Sequence, residues 1–185
     1  DGQGGSSLAQ VTLSVIPVND APEADSGVLI VQEESQGNPL RLAVGSNPDG
    51  SSRPIHLPGD GDGDALTISI SALPTLGVIT LFDGSQAFLG QSVTLEQLAA
   101  IRYDAPADYN GVDLVGEFGY RVDDGQGLAN SVATGTITLV VQAVNDAPAF
   151  QYKFMQVEEA SQNTPLDLGQ PFDEDGDPLT LTVID

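Results

Sequence analysis

Two short stretches concentrate the side chains able to do chemistry. Asp60, Asp62 and Asp64 alternate with glycine, and Asp173, Asp175 and Asp177 recur in the similar run Asp173-Glu174-Asp175-Gly176-Asp177. Carboxylates two residues apart on a glycine-loosened loop can turn their oxygens towards one point. A hard cation such as Ca²⁺, which takes roughly 6–8 oxygen ligands, needs that arrangement. Each loop runs into alternating apolar residues, Leu66-Thr67-Ile68-Ser69-Ile70 and Leu179-Thr180-Leu181-Thr182-Val183, so a half-buried strand is predicted after each cluster. The competing reading is a plain turn, since Asp and Gly are favoured turn residues. Recurrence of the loop argues for ligation. It is not an EF-hand, because no Glu closes a 12-residue ring, and no Gly-Gly-x-Gly-x-Asp nonapeptide repeat is present.

Catalytic constellations are absent from the reading. His56 is the only histidine and sits in a Gly/Pro/Ser-rich stretch, so no Ser-His-Asp set has a credible base. There is no cysteine, which removes thiolate nucleophiles, disulfides and Cys-ligated zinc together. Acids crowded on loops fit metal ligation better than the two carboxyls across a cleft that glycoside hydrolysis requires. No enzyme activity is expected. Tyr103, Tyr109, Phe118 and Tyr120 read as core or corner residues rather than a sugar platform, and Asp123 as a solvated neighbour of Asp124. Glu33, Glu34, Glu158 and Glu159 admit a bland reading too, as charges that discourage pairing at a strand edge.

The 27 Asp plus Glu stand against 5 Lys plus Arg, a formal net charge of −22 over 185 residues. Nucleic acid and anionic membrane are poor partners for that field, and divalent cations are natural ones. With 40% hydrophobic residues and only 17% charged, the chain can build a core and is not an acidic disordered tail. The 21 Gly and 12 Pro favour short strands with frequent turns. No apolar run approaches the roughly 20 residues of a bilayer span, and no signal-peptide pattern is present.

An internal repeat sets the organisation. Val18-Asn19-Asp20-Ala21-Pro22 returns as Val144-Asn145-Asp146-Ala147-Pro148, 126 positions later, and the same offset pairs Val11-Thr12-Leu13 with Ile137-Thr138-Leu139 and Glu33 with Glu159. The acidic loops are offset by 113, so the first copy carries 13 extra residues, within about 45–58, that read as loop. Three units are expected. Residues 1–18 form the last strand of a preceding repeat, 19–144 a complete repeat, and 145–185 the linker and first strands of a truncated following repeat. The opening Asp1-Gly2-Gln3-Gly4-Gly5 reads as the interior of a longer chain. Inside the complete repeat, strands are predicted at 28–32, 40–44, 66–72, 77–82, 99–103, 116–122 and 131–142. Seven short strands imply an all-β, antiparallel Greek-key β-sandwich. A helical turn is predicted at 95–99 behind the Thr94-x-x-Gln97 capping box, and a turn at Gly125 and Gly127.

At the level of motifs the chain resembles a known family. Asn145-Asp146-Ala147-Pro148-Ala149-Phe150, then Val157-Glu158-Glu159, then Asp173-x-Asp175 resembles the cadherin repeat. Tyr103-Asp104-Ala105-Pro106-Ala107-Asp108-Tyr109-Asn110-Gly111, followed by Phe118-Gly119-Tyr120-Arg121-Val122-Asp123-Asp124-Gly125, is similar to the bacterial cadherin-like and Ig-like tandem repeats of large secreted adhesins. The resemblance implies calcium at each junction between successive sandwiches. It assigns Glu33, Asn145, Asp146, the Val144 carbonyl, Asp173, Asp175 and Asp177 to the second junction. Asn19, Asp20, Asp60, Asp62, Asp64 and Asp124 go to the first, whose Glu partner falls in the preceding unit, so a weaker or incomplete site is expected there; Glu159 takes the place of Glu33 in the following unit. The family's Leu-Asp-Arg-Glu ligand motif is missing, with Asp104 or Asp108 as substitute. Ala143 and Pro17 replace the linker's first aspartate, so one or two ions per junction are expected.

The expected function is a calcium-rigidified extender, or spacer, of a bacterial cell-surface adhesin, extracellular and secreted, supporting cell adhesion or biofilm formation. Its partners are calcium ions and neighbouring repeats of the same chain. The alternatives are a carbohydrate- or protein-binding module using the inserted loop that holds Arg53 and His56, with polysaccharide or another adhesin as partner, or homotypic adhesion between repeats. Neither nucleic acid binding nor membrane insertion is expected.

Overall fold

A computed structural model describes residues 2–4, 6–47, 50–109, 111–150, 153–165 and 169–182, with Leu42 and 112–114 described in backbone only. Parts of the expected preceding and following repeats, among them Asp1, Val183 and Asp185, lie outside the described residues. The strands are β1 (Gly27–Gln32), β2 (Asn38–Pro39), β3 (Val44–Ser46), β4 (Ser52–Pro54), β5 (Thr67–Ala72), β6 (Val78–Thr80), β7 (Ser92–Val93), β8 (Arg102–Asp104), β9 (Val112–Asp123) and β10 (Val132–Gln142), with one helix, α1 (Leu95–Ala100). They make a seven-stranded sheet in the order β4-β3-β1-β10-β9-β5-β7 and a three-stranded sheet β2-β8-β6. Alternation decides which face is inside. Ile68 and Ile70 of β5, Phe118, Tyr120 and Val122 of β9, and Ile137, Leu139 and Val141 of β10 are buried, and they join Ile79 and Tyr103 of the small sheet in one core. The architecture is the Ig-like β-sandwich expected.

Its details differ from the sequence reading in instructive ways. The pairing of β1 with β10 is parallel, from Gly27 opposite Ile137 to Gln32 opposite Gln142, so the large sheet is mixed rather than wholly antiparallel. The predicted strand at 40–44 is divided. Residues 38–39 pair with β8, Leu40–Leu42 form a 3₁₀ turn, and β3 starts at Val44 on the other sheet. The chain changes sheet there after a last ladder bond from Leu40 N–H to the Ile101 carbonyl at 3.1 Å, burying Leu40 and Ala43 at the crossing. The insertion, expected as loop, supplies β4, which pairs with β3 through Gly45 opposite Arg53. Asn47-Pro48-Asp49-Gly50 has the composition of a tight turn. Its described ends close the hairpin: Asn47 N–H donates to the Ser51 carbonyl at 2.7 Å, and Gly50 has φ +83°.

The helix starts where the capping box requires. Gln97 N–H donates to Thr94 Oγ1 at 3.2 Å and Thr94 N–H to Gln97 Oε1 at 2.9 Å, satisfying two amides that lack intrahelical partners. It runs to Ala100, displacing the strand predicted from 99 to a start at Arg102. Residues 6–22 and 153–165 form no strand, and Val11, Leu13, Val15 and Phe154 are exposed. A strand needs a neighbour for its N–H and C=O groups, and none lies alongside among the described residues. No helix among them is long and apolar enough to cross a membrane.

Candidate metal centres

Linker and acidic loop meet in the same way twice. Asp60 Oδ1 accepts the N–H groups of Asp62 at 2.9 Å and Asp64 at 3.1 Å, and Gly63 N–H donates to the Asp60 carbonyl at 3.3 Å. In the second loop Asp173 Oδ1 accepts Asp177 N–H at 3.1 Å, and Gly176 N–H donates to the Asp173 carbonyl at 3.2 Å. Gly63 and Gly176 sit at φ +79° and +77°, a left-handed conformation that costs glycine nothing sterically. The linker closes onto each loop: Asp20 N–H donates to Asp62 Oδ2 at 2.7 Å, and Asp146 N–H to Asp175 Oδ2 at 2.6 Å. On the far side a two-bond bridge joins Glu23 to Gly59, and its counterpart joins Ala149 to Phe172. Each second contact is the first displaced by the sequence offsets of 126 and 113.

Three carboxylate groups result among the described residues, each with oxygens within 4.8 Å of one another: Asp60, Asp62 and Asp64; Glu33, Asp146 and Asp175; Asp108, Asp146 and Glu174. The informative atom is Asp60 Oδ2, which is buried and has no hydrogen-bond donor among the described residues. A buried acceptor left without donor or cation costs about 1–3 kcal/mol, and more when charged. At Gly61 a Cβ would come within 3.3 Å of Asp20 Oδ2, so the linker carboxylate also lies against this loop.

Glu33 sits in the turn one residue past β1 and is only 4% exposed. Its Oε1 accepts Val144 N–H at 2.5 Å and its Oε2 accepts Tyr109 N–H, so one carboxylate joins the linker to the loop that carries Asp108. Val144 thus enters the site through its N–H. Asp124, equally buried, accepts Asn19 Nδ2 at 2.9 Å and Gln126 N–H at 2.8 Å. Burial pushes its carboxyl up, but the bonds from Asn19, Gln126 and Ser131 outweigh that and hold it below the usual range. Gln126 Nε2 reaches Asp64 Oδ2 at 2.8 Å, and Asn130 Nδ2 reaches the Asn19 carbonyl at 2.7 Å. The turn between β9 and β10 therefore holds the first linker. Asn19 and Asn145 each donate to the carbonyl of the next aspartate.

Other expected residues lie apart. Asp104 accepts Gly37 N–H at 2.6 Å and joins no cluster; Asp108 does. Asp173 and Asp177 shape their loop, and Glu159 is exposed in a turn. Asp123 pairs with Arg121 at 2.7 Å. Tyr103 and Phe118 are core residues, and the Tyr103 hydroxyl donates to the Leu76 carbonyl at 3.0 Å. Glu174 is the residue that sequence reasoning missed; its place between two aspartates in the acidic loop was the available signal.

Like charges shape the second junction. A hydrogen bond with Asp108, then the Asp108 charge, then burial, push the Glu174 carboxyl up to about 7. Burial first, then Asp175, Glu33, Asp108 and Asp173, push Asp146 up. These groups favour the folded junction when protonated, so in metal-free protein that contribution is present below about pH 4.5 and is lost as pH rises through about 7. A carboxyl NMR titration in chelator is expected to give Glu174 a midpoint near 7; a midpoint at the ordinary glutamate value would contradict the shared-proton geometry.

No curated protein matches the chain at a significant level. Residues 19–140 match the family model described as the bacterial Ig domain, a segment that opens on the Asn19 linker, contains the first acidic loop and ends in β10. With about two thirds of its length so matched, and a sandwich built around it, the chain belongs to the bacterial Ig domain family.

Proposed function

We propose that this chain is a calcium-stiffened spacer of a bacterial surface adhesin, in which divalent ions join linker and acidic loop at each junction between Ig-like repeats. The bacterial Ig domain is a non-catalytic fold of surface-associated repeat modules, which supports a mechanical reading over an enzymatic one. The observation that carries the cation is Asp60 Oδ2, a buried carboxylate oxygen with no donor among three clustered aspartates. A cation would supply what no described protein group does there. The duplicated linker-to-loop contact supports one such centre per junction, with Glu33, Asp146 and Asp175 as the core of the second.

The stiffening follows from the charges. Carboxylates held about 4 Å apart repel by about 1–4 kcal/mol per pair in a wet or surface-like dielectric, so an ion-free linker favours splayed arrangements. An ion that binds only the closed form shifts that balance by mass action. The inserted loop contributes no Phe, Tyr or Trp, and a stacking platform for polysaccharide finds no support in it.

Calcium calorimetry on the wild type, Asp60→Asn and Asp175→Asn tests the proposal. Two classes of site with Kd of about 10⁻⁴–10⁻³ M are expected, each variant removing one class. Scattering should show a longer, straighter particle in calcium than in chelator. Absence of heat and of any change in shape at 10 mM calcium would sink it.

A further inference from the structure

The insertion has no counterpart in the following unit, where the six residues between Leu166 and Asp173 include no Arg, Lys or His. It ends directly on the first acidic loop. Arg53, on β4, forks onto Asp25, with Nη1 donating to Oδ2 and Nη2 to Oδ1. The same Nη1 donates to the Pro54 carbonyl at 3.2 Å and lies 3.2 Å from His56 Nδ1. His56 N–H donates to Asp25 Oδ2 at 2.8 Å. Asp25 is itself fixed to the core: its N–H donates to the Tyr120 hydroxyl at 3.0 Å, and its carbonyl accepts that hydroxyl at 2.7 Å. Gly59 is bonded in both directions to Glu23, two residues before Asp25. Residues 53–59 are thus tied to 23–25 at both ends, and Asp60 leaves a clamped segment. In the following unit, among the described residues, the bridge between Ala149 and Phe172 stands where Glu23 and Gly59 are joined in the first.

The fork is well suited to clamping. A bidentate guanidinium–carboxylate pair fixes orientation as well as distance, and Arg53 and Asp25 side chains are 25% and 16% exposed. The Arg53 bond, opposed by burial and aided by the His56 amide, draws Asp25 down to about 2, so the pair stays ionised through ordinary pH.

We infer that Arg53 is a positioning residue: by clamping the insertion to Asp25 it holds the Asp60-Asp62-Asp64 loop closed before a cation arrives, so the first junction takes calcium more tightly than it would without the clamp. The inference rests on the calcium reading above. Its physical basis is that a site competent only part of the time loses apparent affinity in proportion.

The test compares Arg53 with Arg53→Lys and Arg53→Met, each in the Asp175→Asn background that silences the second junction. Two readouts are taken: calcium calorimetry, and amide exchange of Asp62 and Asp64 in chelator. Arg53→Met is expected to weaken calcium binding about tenfold and to speed exchange of both amides, with Arg53→Lys intermediate. The core amide of Val122 should stay protected. If the Met variant unfolds, the Lys variant, which keeps the charge but loses the fork, decides. Calcium affinity equal in all three would overturn the inference and leave the calcium reading standing. No calcium binding by the Arg53 parent, with exchange still faster in the Met variant, would instead remove the calcium reading. Arg53 would then be a structural clamp alone, which also overturns the inference.

Discussion

Replacing Glu33 by Ala is expected to lower the unfolding free energy by about 3 kcal/mol, from two lost hydrogen bonds to a charged group at roughly 1.5–3 kcal/mol each, less some rehydration. The side chain is buried and both of its oxygens are occupied by backbone donors from segments 76 and 111 residues away. Alanine would leave Val144 N–H and Tyr109 N–H without an acceptor and free the linker from the end of the sandwich. Denaturant unfolding in chelator measures the loss with no contribution from bound ions. Glu33→Gln should lie between the two, because an amide keeps one acceptor but presents N–H to an N–H. In calcium the gap between wild type and either variant should widen, since Glu33 shares its cluster with Asp146 and Asp175. A change under about 0.5 kcal/mol, the range of an ordinary surface substitution, would show that Glu33 does not hold the linker.

Gly135→Ala should cost at least as much, for a steric reason. Gly135 pairs with Tyr120 across β9 and β10. A Cβ there would lie 2.2 Å from Tyr120 Cζ and 2.4 Å from both the Tyr120 hydroxyl and the Asp25 carbonyl. The ring cannot retreat, because Tyr120 is a core residue whose hydroxyl is bonded to Asp25 on both sides. Overpacking of this kind costs about 1–3 kcal/mol, and breaking the Tyr120–Asp25 bonds adds about 1 kcal/mol for each. A loss of about 3–4 kcal/mol is expected from chemical denaturation. Because Asp25 anchors Arg53, the same variant should also loosen residues 53–59, visible as faster amide exchange at Gly59. A near-neutral result would mean the strands can separate locally at little cost.

Much of this molecule is written in local pattern. The acidic loops, their glycines at positive φ, the capping box at Thr94 and Gln97, the turn at Gly125 and Gly127 and the alternation along β5 and β10 each depend on residues within a few positions of one another. Their chemistry therefore reads directly from sequence. The offsets of 126 and 113 did more, since they predicted that linker and loop would recur together, and the contacts of Asp20 with Asp62 and Asp146 with Asp175 recur in that register.

Only the tertiary structure decided which distant groups share a site. Glu33 is marked in the sequence only by its repeat at Glu159 and by resemblance; its grip on Tyr109 and Val144 exists because β1 lies parallel to β10 and ends beside the linker. Glu174 meets Asp108, and Arg53 meets Asp25, across separations that no periodicity encodes. The division of the 40–44 segment between two sheets likewise came from the need to bury Leu40 and Ala43 on the way across. Short-range preference names the groups that can bind, whereas burial and the closing of a sandwich choose which of them stand face to face.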